Sequence, residues 1–196
     1  ILVKDSEQVE ERVLETRHGP VVGPVIPGET RAVALRSTGL EPGDPLGPVL
    51  DLCRATSVEA FDDAVSRRPG VTFNYVFAHR LGRIGYRMSG SIPRREPGDG
   101  LLPHDGATEA EVPGYISPDE MPRQLDPALG YIVSANQDSG VVADVGEDFC
   151  EPARADRIAA LIEASAKHGI GSFAAIQTDQ RSDSLVRFRD MAVPLI

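Results

Sequence analysis

The feature that most restricts how this chain can fold is the stretch TFNYVFAHRLGRIGYRMSG, Thr72 to Gly90. Phe73, Tyr75 and Phe77 alternate before the reversal HRLGR, and Ile84, Tyr86 and Met88 alternate after it. Alternation with a period of two on both sides of a glycine-containing turn predicts an antiparallel hairpin. LGRIG inside it follows a strand but opens no helix, so it is a turn and not a phosphate-binding loop.

Around the hairpin the pattern changes along the chain. ILVKDSEQVEERVLET alternates loosely at Val9, Val13 and Leu14 and predicts strand pairing that ends in the turn RHGP. VVGPVI is cut by Pro24 and followed by Pro27, which restricts it to an edge strand or a loop. Ala32 to Leu35 predict a buried strand, and EPGDPLGP a turn-rich connection. Thr56 and Glu59 then have capping-box spacing ahead of Val58, Phe61 and Val65, which recur at helical intervals up to RRPG. From Ser91 to Leu129 prolines, glycines and acids dominate, an irregular segment of the kind that covers a site or wraps a neighbour. GYIVSANQ, Gly130 to Gln137, predicts a buried strand that turns polar at Ser134, Asn136 and Gln137. ARADRIAALIEASAKHG places Ile158, Leu161, Ile162 and Ser165 on one helix face and stops at Gly169. A second helix is expected after a Ser172 cap, with Phe173, Ile176, Leu185 and Phe188 inward. Strands early and helices late give an α+β or layered α/β class, and the unbalanced element count suggests a section of a larger layered fold, a single partial domain over residues 1–196.

Composition removes several functions. Hydrophobic residues make up 41% and charged residues 26%, which is globular composition. A net charge of -10 without a basic stripe argues against nucleic acid. No run of about 18 apolar residues could span a membrane. Cys53 and Cys150 are too few for a disulfide framework and are not spaced for metal. His18, His79, His104 and His168 lack zinc spacing, and no G-x-S-x-G elbow occurs. The acids of EVPGYISPDE and DVGEDFCE could offer oxygens to calcium or could simply be solvated loops.

The order of the motifs carries more than any one of them. ETRHGPVV, TFNYVFAHRLGRIGYRMSGSIPRR, DGLLP, VPGYISPDEMP, DPALGYIVSANQ, RADRIAALI and IQTDQRSDS, in that order, resemble the β-chain of the penicillin amidase (penicillin G acylase) family over nearly the whole sequence. The resemblance implies a segment of the αββα sandwich of the N-terminal-nucleophile hydrolases. It also implies cleavage of linear amides of penicillins, cephalosporins, acyl-homoserine lactones or related acylated amines. Asn136 falls on the family's oxyanion-hole asparagine; an alternative use for a strand-end asparagine is to satisfy loop backbone. Arg154 falls on the family's site-supporting arginine four residues before the helix isoleucine, Ile158, with Arg157 a rival and a surface ion pair the plainer alternative. The family often holds a structural calcium, whose ligands would fall near the Gly100 carbonyl and an acid of DVGED, Asp144 or Asp148.

Three positions depart from the family pattern. Val112 replaces an aromatic, His79 an aspartate and Gln137 a second asparagine, which leaves the acyl preference open. Ile1 has neither hydroxyl nor thiol, so the nucleophile of this mechanism is expected upstream, and the chain is expected to be inactive alone. The expected partners are the remaining β-chain and the α-chain, a small acylated amide as substrate, and a second copy of the chain as a dimer. The family further implies a periplasmic or secreted location. The competing reading is a non-catalytic binding or assembly module derived from an acylase.

Overall fold

The computed structural model describes residues 4–23, 27–28, 30–95, 100, 102–107, 114–140, 145–146 and 148–195. Ile1, Val112 and Asp144 lie outside them.

The predicted hairpin forms as β4 (Phe73–Ala78) and β5 (Ile84–Ser89), numbered after three short strands described below. Their register runs from Phe73 opposite Ser89 to Ala78 opposite Ile84. A third antiparallel strand, β6 (Arg123–Leu125), pairs with β5 and gives the order β4-β5-β6. It arises inside the stretch expected to be irregular throughout, because three residues carry too little periodicity to be seen among prolines. The alternation divides the sheet into two faces. Phe73, Tyr75, Phe77, Gly85 and Arg87 share one, and Asn74, Val76, Tyr86, Met88 and Gln124 the other. Gly85 is required where it stands, since a Cβ there would lie 2.3 Å from the Phe77 ring opposite.

The first face is covered by α2 (Val58–Ser66), preceded by α1 (Leu46–Arg54). The cap of α2 is Ser57, one residue beyond the expected Thr56; its Oγ accepts from Ala60 N at 3.1 Å. The helix buries Val58, Asp62 and Val65, a stripe of one side, and Phe61 meets the Phe77 ring at 4.7 Å between centroids. The α1 helix corrects the expectation of a turn at EPGDPLGP. Pro48 sits in its first turn, where its missing N–H loses no helical bond, and Asp44 Oδ1 accepts from Leu46 N and Gly47 N, both at 3.0 Å.

A charge is buried between helix and sheet. Asp62 Oδ2 accepts from Arg87 Nη1 at 3.1 Å and is 2.9 Å from Arg123 Nη2, while Arg87 Nη2 donates to the Pro118 carbonyl at 2.6 Å. Asp62 and Arg87 are only 5% and 4% exposed. Beyond the sheet, Ile92, Ile116 and Met121 form a small apolar cluster with Met88 and Val145.

The N-terminal part is less regular than its pattern. Among the described residues only β1 (Glu15–Thr16), β2 (Gly19–Gly23) and β3 (Val33–Ala34) form, in a sheet of order β1-β2-β3. Residues 7–14 hold no strand, and the stretch at 32–35 is not buried, with Leu35 48% exposed. At the other end three helices replace the expected two: α3 (Ala153–Glu163), α4 (Ile170–Gln177) and α5 (Asp183–Ala192). Ser172 lies within α4 and closes its start from inside, accepting from Gly169 N at 2.9 Å, so it is not the cap residue. Phe173, Leu185 and Phe188, expected inward, are exposed. The total accessible surface, 14596 Å², compares with about 9000 Å² for a compact monomer of this mass. Much apolar surface is uncovered. Among the described residues no helix is long and apolar enough to cross a membrane.

Two predictions follow from this packing. Asp62→Ala would strand the Arg87 guanidinium in the interior and should lower unfolding free energy by about 3–5 kcal/mol, read from denaturant midpoints; a loss under about 1 kcal/mol would contradict the burial. Glu120 is held down to about 2 from an ordinary 4.5, first by bonds from Ser117 and then by Arg94, whose Nη2 is 2.5 Å from Oε2. A carboxyl lowered in the fold stabilises it above the unfolded value and loses that contribution as pH falls from about 4.5 towards 2. Acid titration of wild type should therefore loosen residues 115–121 in that window, and Glu120→Gln should remove this pH dependence, followed by amide hydrogen exchange.

Candidate functional site

The free face of the sheet forms the floor of a cleft of about 430 Å³. Asn74, Tyr86, Met88 and Gln124 contribute the floor, and the segment from Ile132 to Ser139 with Val145 and Phe149 forms a wall. Asn136 is part of that wall.

The segment 131–136 was expected as a buried strand. It forms no strand and bends at Ala135 and Asn136. Its partner is α3. Tyr131 Oη donates to Glu163 Oε1 at 2.5 Å, and Arg154 Nη2 donates to Asn136 Oδ1 at 2.6 Å and to the Ala135 carbonyl. The contacts run in opposite order along the two segments, Tyr131 meeting Glu163 and Asn136 meeting Arg154. The segment is thus strapped antiparallel along the helix. Gln137 supplies what a neighbouring strand would have supplied, accepting from Ala135 N at 2.7 Å and donating to the Val133 carbonyl at 2.9 Å.

Asn136 adopts a left-handed backbone, φ 65°. Asparagine tolerates that region better than β-branched residues do, which is one answer to why the chain has no valine here. Its carbonyl accepts from Cys150 N at 2.8 Å. With Oδ1 engaged by Arg154, the carboxamide orientation is fixed and Nδ2 is left to donate; no described residue accepts from it. A neutral donor held this way, at an exposed position lining a cleft, can stabilise developing negative charge on a carbonyl oxygen.

The two rival arginines separate. Arg154 binds Asn136, whereas Arg157 turns away to Asp179, at 3.1 Å and 2.7 Å from its two carboxylate oxygens. That pair raises the Arg157 pKa and lowers that of Asp179, each chiefly through the hydrogen bond to the other. Gly100 and Asp148 line the same cleft, bringing a carbonyl-bearing residue and an exposed carboxylate to it. Among the described residues no three His, Cys, Asp or Glu side chains gather to hold a metal, and Asp144 is not among these residues. Calcium takes six to eight oxygens, so the described donors fill only a small part of such a shell. Cys53 and Cys150 are both free and exposed.

Periodicity did not reveal Asn74, Tyr86 and Gln124 as cleft residues. The hairpin alternation assigns Asn74 and Tyr86 to the face opposite the aromatic residues, which was the available signal.

Comparison with known proteins agrees with this arrangement. A family model for penicillin amidase matches residues 1–194. Acyl-homoserine lactone acylase QuiP of Pseudomonas fluorescens (strain Pf-5) is 33% identical over 196 residues, covering 96% of this chain and 24% of the relative. The penicillin acylase 2 proenzyme of Pseudomonas sp. (strain SE83) is 34% identical over 189 residues, covering 93% of this chain and 24% of the relative. The chain therefore spans about a quarter of the length of these proteins. A thermostable penicillin G acylase from Alcaligenes faecalis shares the fold with a TM-score of 0.71 at 21% identity, over 87% of this chain and 31% of its own. The α+β architecture is a section of the αββα sandwich of the N-terminal-nucleophile hydrolases.

Arg154→Lys would remove the Nη2 that donates to both the Asn136 Oδ1 and the Ala135 carbonyl and replace the planar guanidinium by a point donor on a different stem. The Cys150 amide, bonded to the Asn136 carbonyl, should then exchange at least about tenfold faster. Unchanged exchange would show that Arg154 does not hold this turn.

Proposed function

The chain belongs to the penicillin amidase family, and from that premise we propose that it forms part of an amidohydrolase that cleaves linear amide bonds of acylated substrates. Asn136 is the oxyanion donor in this reading and Arg154 its positioning residue. The observation that carries it is the 2.6 Å bond from Arg154 Nη2 to Asn136 Oδ1, which leaves Nδ2 to donate into the cleft. As a nucleophile attacks the substrate carbonyl, electrons move onto its oxygen, and Nδ2–H donates to that oxyanion more strongly than to the ground-state carbonyl. The difference lowers the barrier without desolvating a charge on the protein.

The attacking hydroxyl or thiol is assigned to a part of the protein outside these residues. Ser134 and Ser139 line the cleft, but among the described residues no histidine or lysine does, and neither serine hydroxyl is bonded to the Asp138 or Asp148 carboxylates that share it. The partners are then the remaining β-chain and the α-chain of the enzyme, and these 196 residues alone are inactive. The substrate is a penicillin or an acyl-homoserine lactone, in keeping with the names of the relatives, or a cephalosporin. Calcium enters as a structural ion on Gly100, Asp144 and Asp148, with no step passing through it, and the location is periplasmic or secreted.

In the complete enzyme Asn136→Ala should lower kcat by about 100-fold to 1000-fold with KM little changed. A loop asparagine without a role in the reaction would leave turnover intact, and a non-catalytic assembly module would show no turnover in the wild type. A fall in thermal midpoint large enough to account for the loss would also count against the assignment.

A further inference from the structure

The cleft holds a second asparagine arranged like the first. Asn74, on β4, accepts at Oδ1 from the Tyr86 hydroxyl at 2.7 Å. No described residue accepts from its Nδ2. Tyr86 is 9% exposed, and burial pushes its phenol above the ordinary value, so it remains protonated and able to donate. Gln124 is the direct cross-strand partner of Tyr86, and Met88 that of Asn74. The floor is therefore a neutral patch of hydrogen-bonding side chains beside a methionine, with no charge on the strand positions themselves. Two asparagine carboxamides line one cleft, each with its oxygen occupied, by a guanidinium in one case and a phenol in the other.

Such a floor is ill suited to a purely hydrocarbon group, which would leave the Asn74 N–H groups desolvated without a partner. The floor itself carries no counter-charge for an anionic group; Arg95, Asp138 and Asp148 line the same cleft but stand on other segments. We propose that Asn74 is a specificity-determining residue: its Nδ2 donates to a neutral oxygen, hydroxyl or keto, on the acyl half of the substrate, with Tyr86 as its positioning residue. This deepens the reading of the cleft as an amide-hydrolysing site and rests on it. Asn136 serves the reacting carbonyl and Asn74 a second oxygen, so acyl amides with a hydroxyl or keto group are preferred over plain chains of equal length.

The test uses the complete enzyme carrying this chain and two N-acyl amides of matched length, one plain and one with a keto or hydroxyl oxygen near the amide. Asn74→Asp has nearly the same volume but offers no N–H donor. It should cut kcat/KM for the oxygen-bearing substrate by about tenfold or more and change the plain one by less than about threefold. Tyr86→Phe should narrow the same ratio mainly through KM. Equal losses on both substrates, or no loss on either, overturn the proposal. Asn74→Leu should raise the relative rate on the plain chain, and its failure to do so would count against the patch as a selector. Asn136→Ala lowers both substrates alike, so failure of the oxyanion reading shows in absolute rates while the wild-type preference between the two amides still tests Asn74.

Discussion

The fold is organised around a carboxylate that has left water. Asp62 on α2 is buried against Arg87 of β5, with Arg123 of β6 reaching the same oxygen and the Pro118 carbonyl taking the other arm of Arg87. Burial of such a pair adds little to net stability when compared with apolar packing, but loss of either partner is costly. Its effect is to specify which helix face meets which sheet face. The aromatic side of the hairpin must meet α2, because only there do Phe61, Phe77 and the Asp62–Arg87 pair find partners together. The polar side, with Asn74, Tyr86 and Gln124, is then turned to the cleft. One ion pair thus helps to set which residues face the cleft.

The second determinant is local. A segment with strand-like sequence is held by a helix rather than by a sheet. Its backbone groups are partly met by the Gln137 side chain, and its ends by Tyr131–Glu163 and Asn136–Arg154. This explains how an exposed asparagine with a positive φ can have a defined carboxamide orientation. A sheet neighbour would have tied up backbone alone. The arginine ties up the side chain, and does so at the oxygen, which gives the donor its direction.

The hairpin and α2 were legible because their periods are strong and their partners lie nearby in sequence. Motif order singled out Asn136 and Arg154, which lie in contact, while the distinction between Arg154 and Arg157 needed coordinates, since both stand near the start of one helix. The α1 helix was hidden by prolines that a first turn accommodates. The strand expected at 131–135 failed for a different reason: alternation and apolarity report burial of one side, not the identity of the neighbour, and here the neighbour is a helix. The positions of α4 and α5 expected to face inward, Phe173, Leu185 and Phe188, are exposed, and no described element covers them. Ile170 is 93% exposed in a helix whose sequence is apolar almost all round.

That exposure bears on the site. The core under α2 is dense, whereas α3, α4 and α5 are joined by Arg157–Asp179, Ser184–Glu151 and Arg187–Glu151, contacts at least partly open to water. Exposed pairs of this kind contribute about 0–1 kcal/mol each. Arg154 resides on α3, so the Asn136 donor is precise relative to its helix but only as well placed over the cleft floor as α3 is fixed to the sheet. On the proposed reading, the remaining acylase polypeptide would cover the apolar sides of α4 and α5 and thereby hold α3 in place. Oxyanion stabilisation demands donors positioned to within about half an ångström. The same buried surface that completes the fold would then also set the accuracy of the catalytic hydrogen bond, which links the chain's uncovered faces to its chemistry.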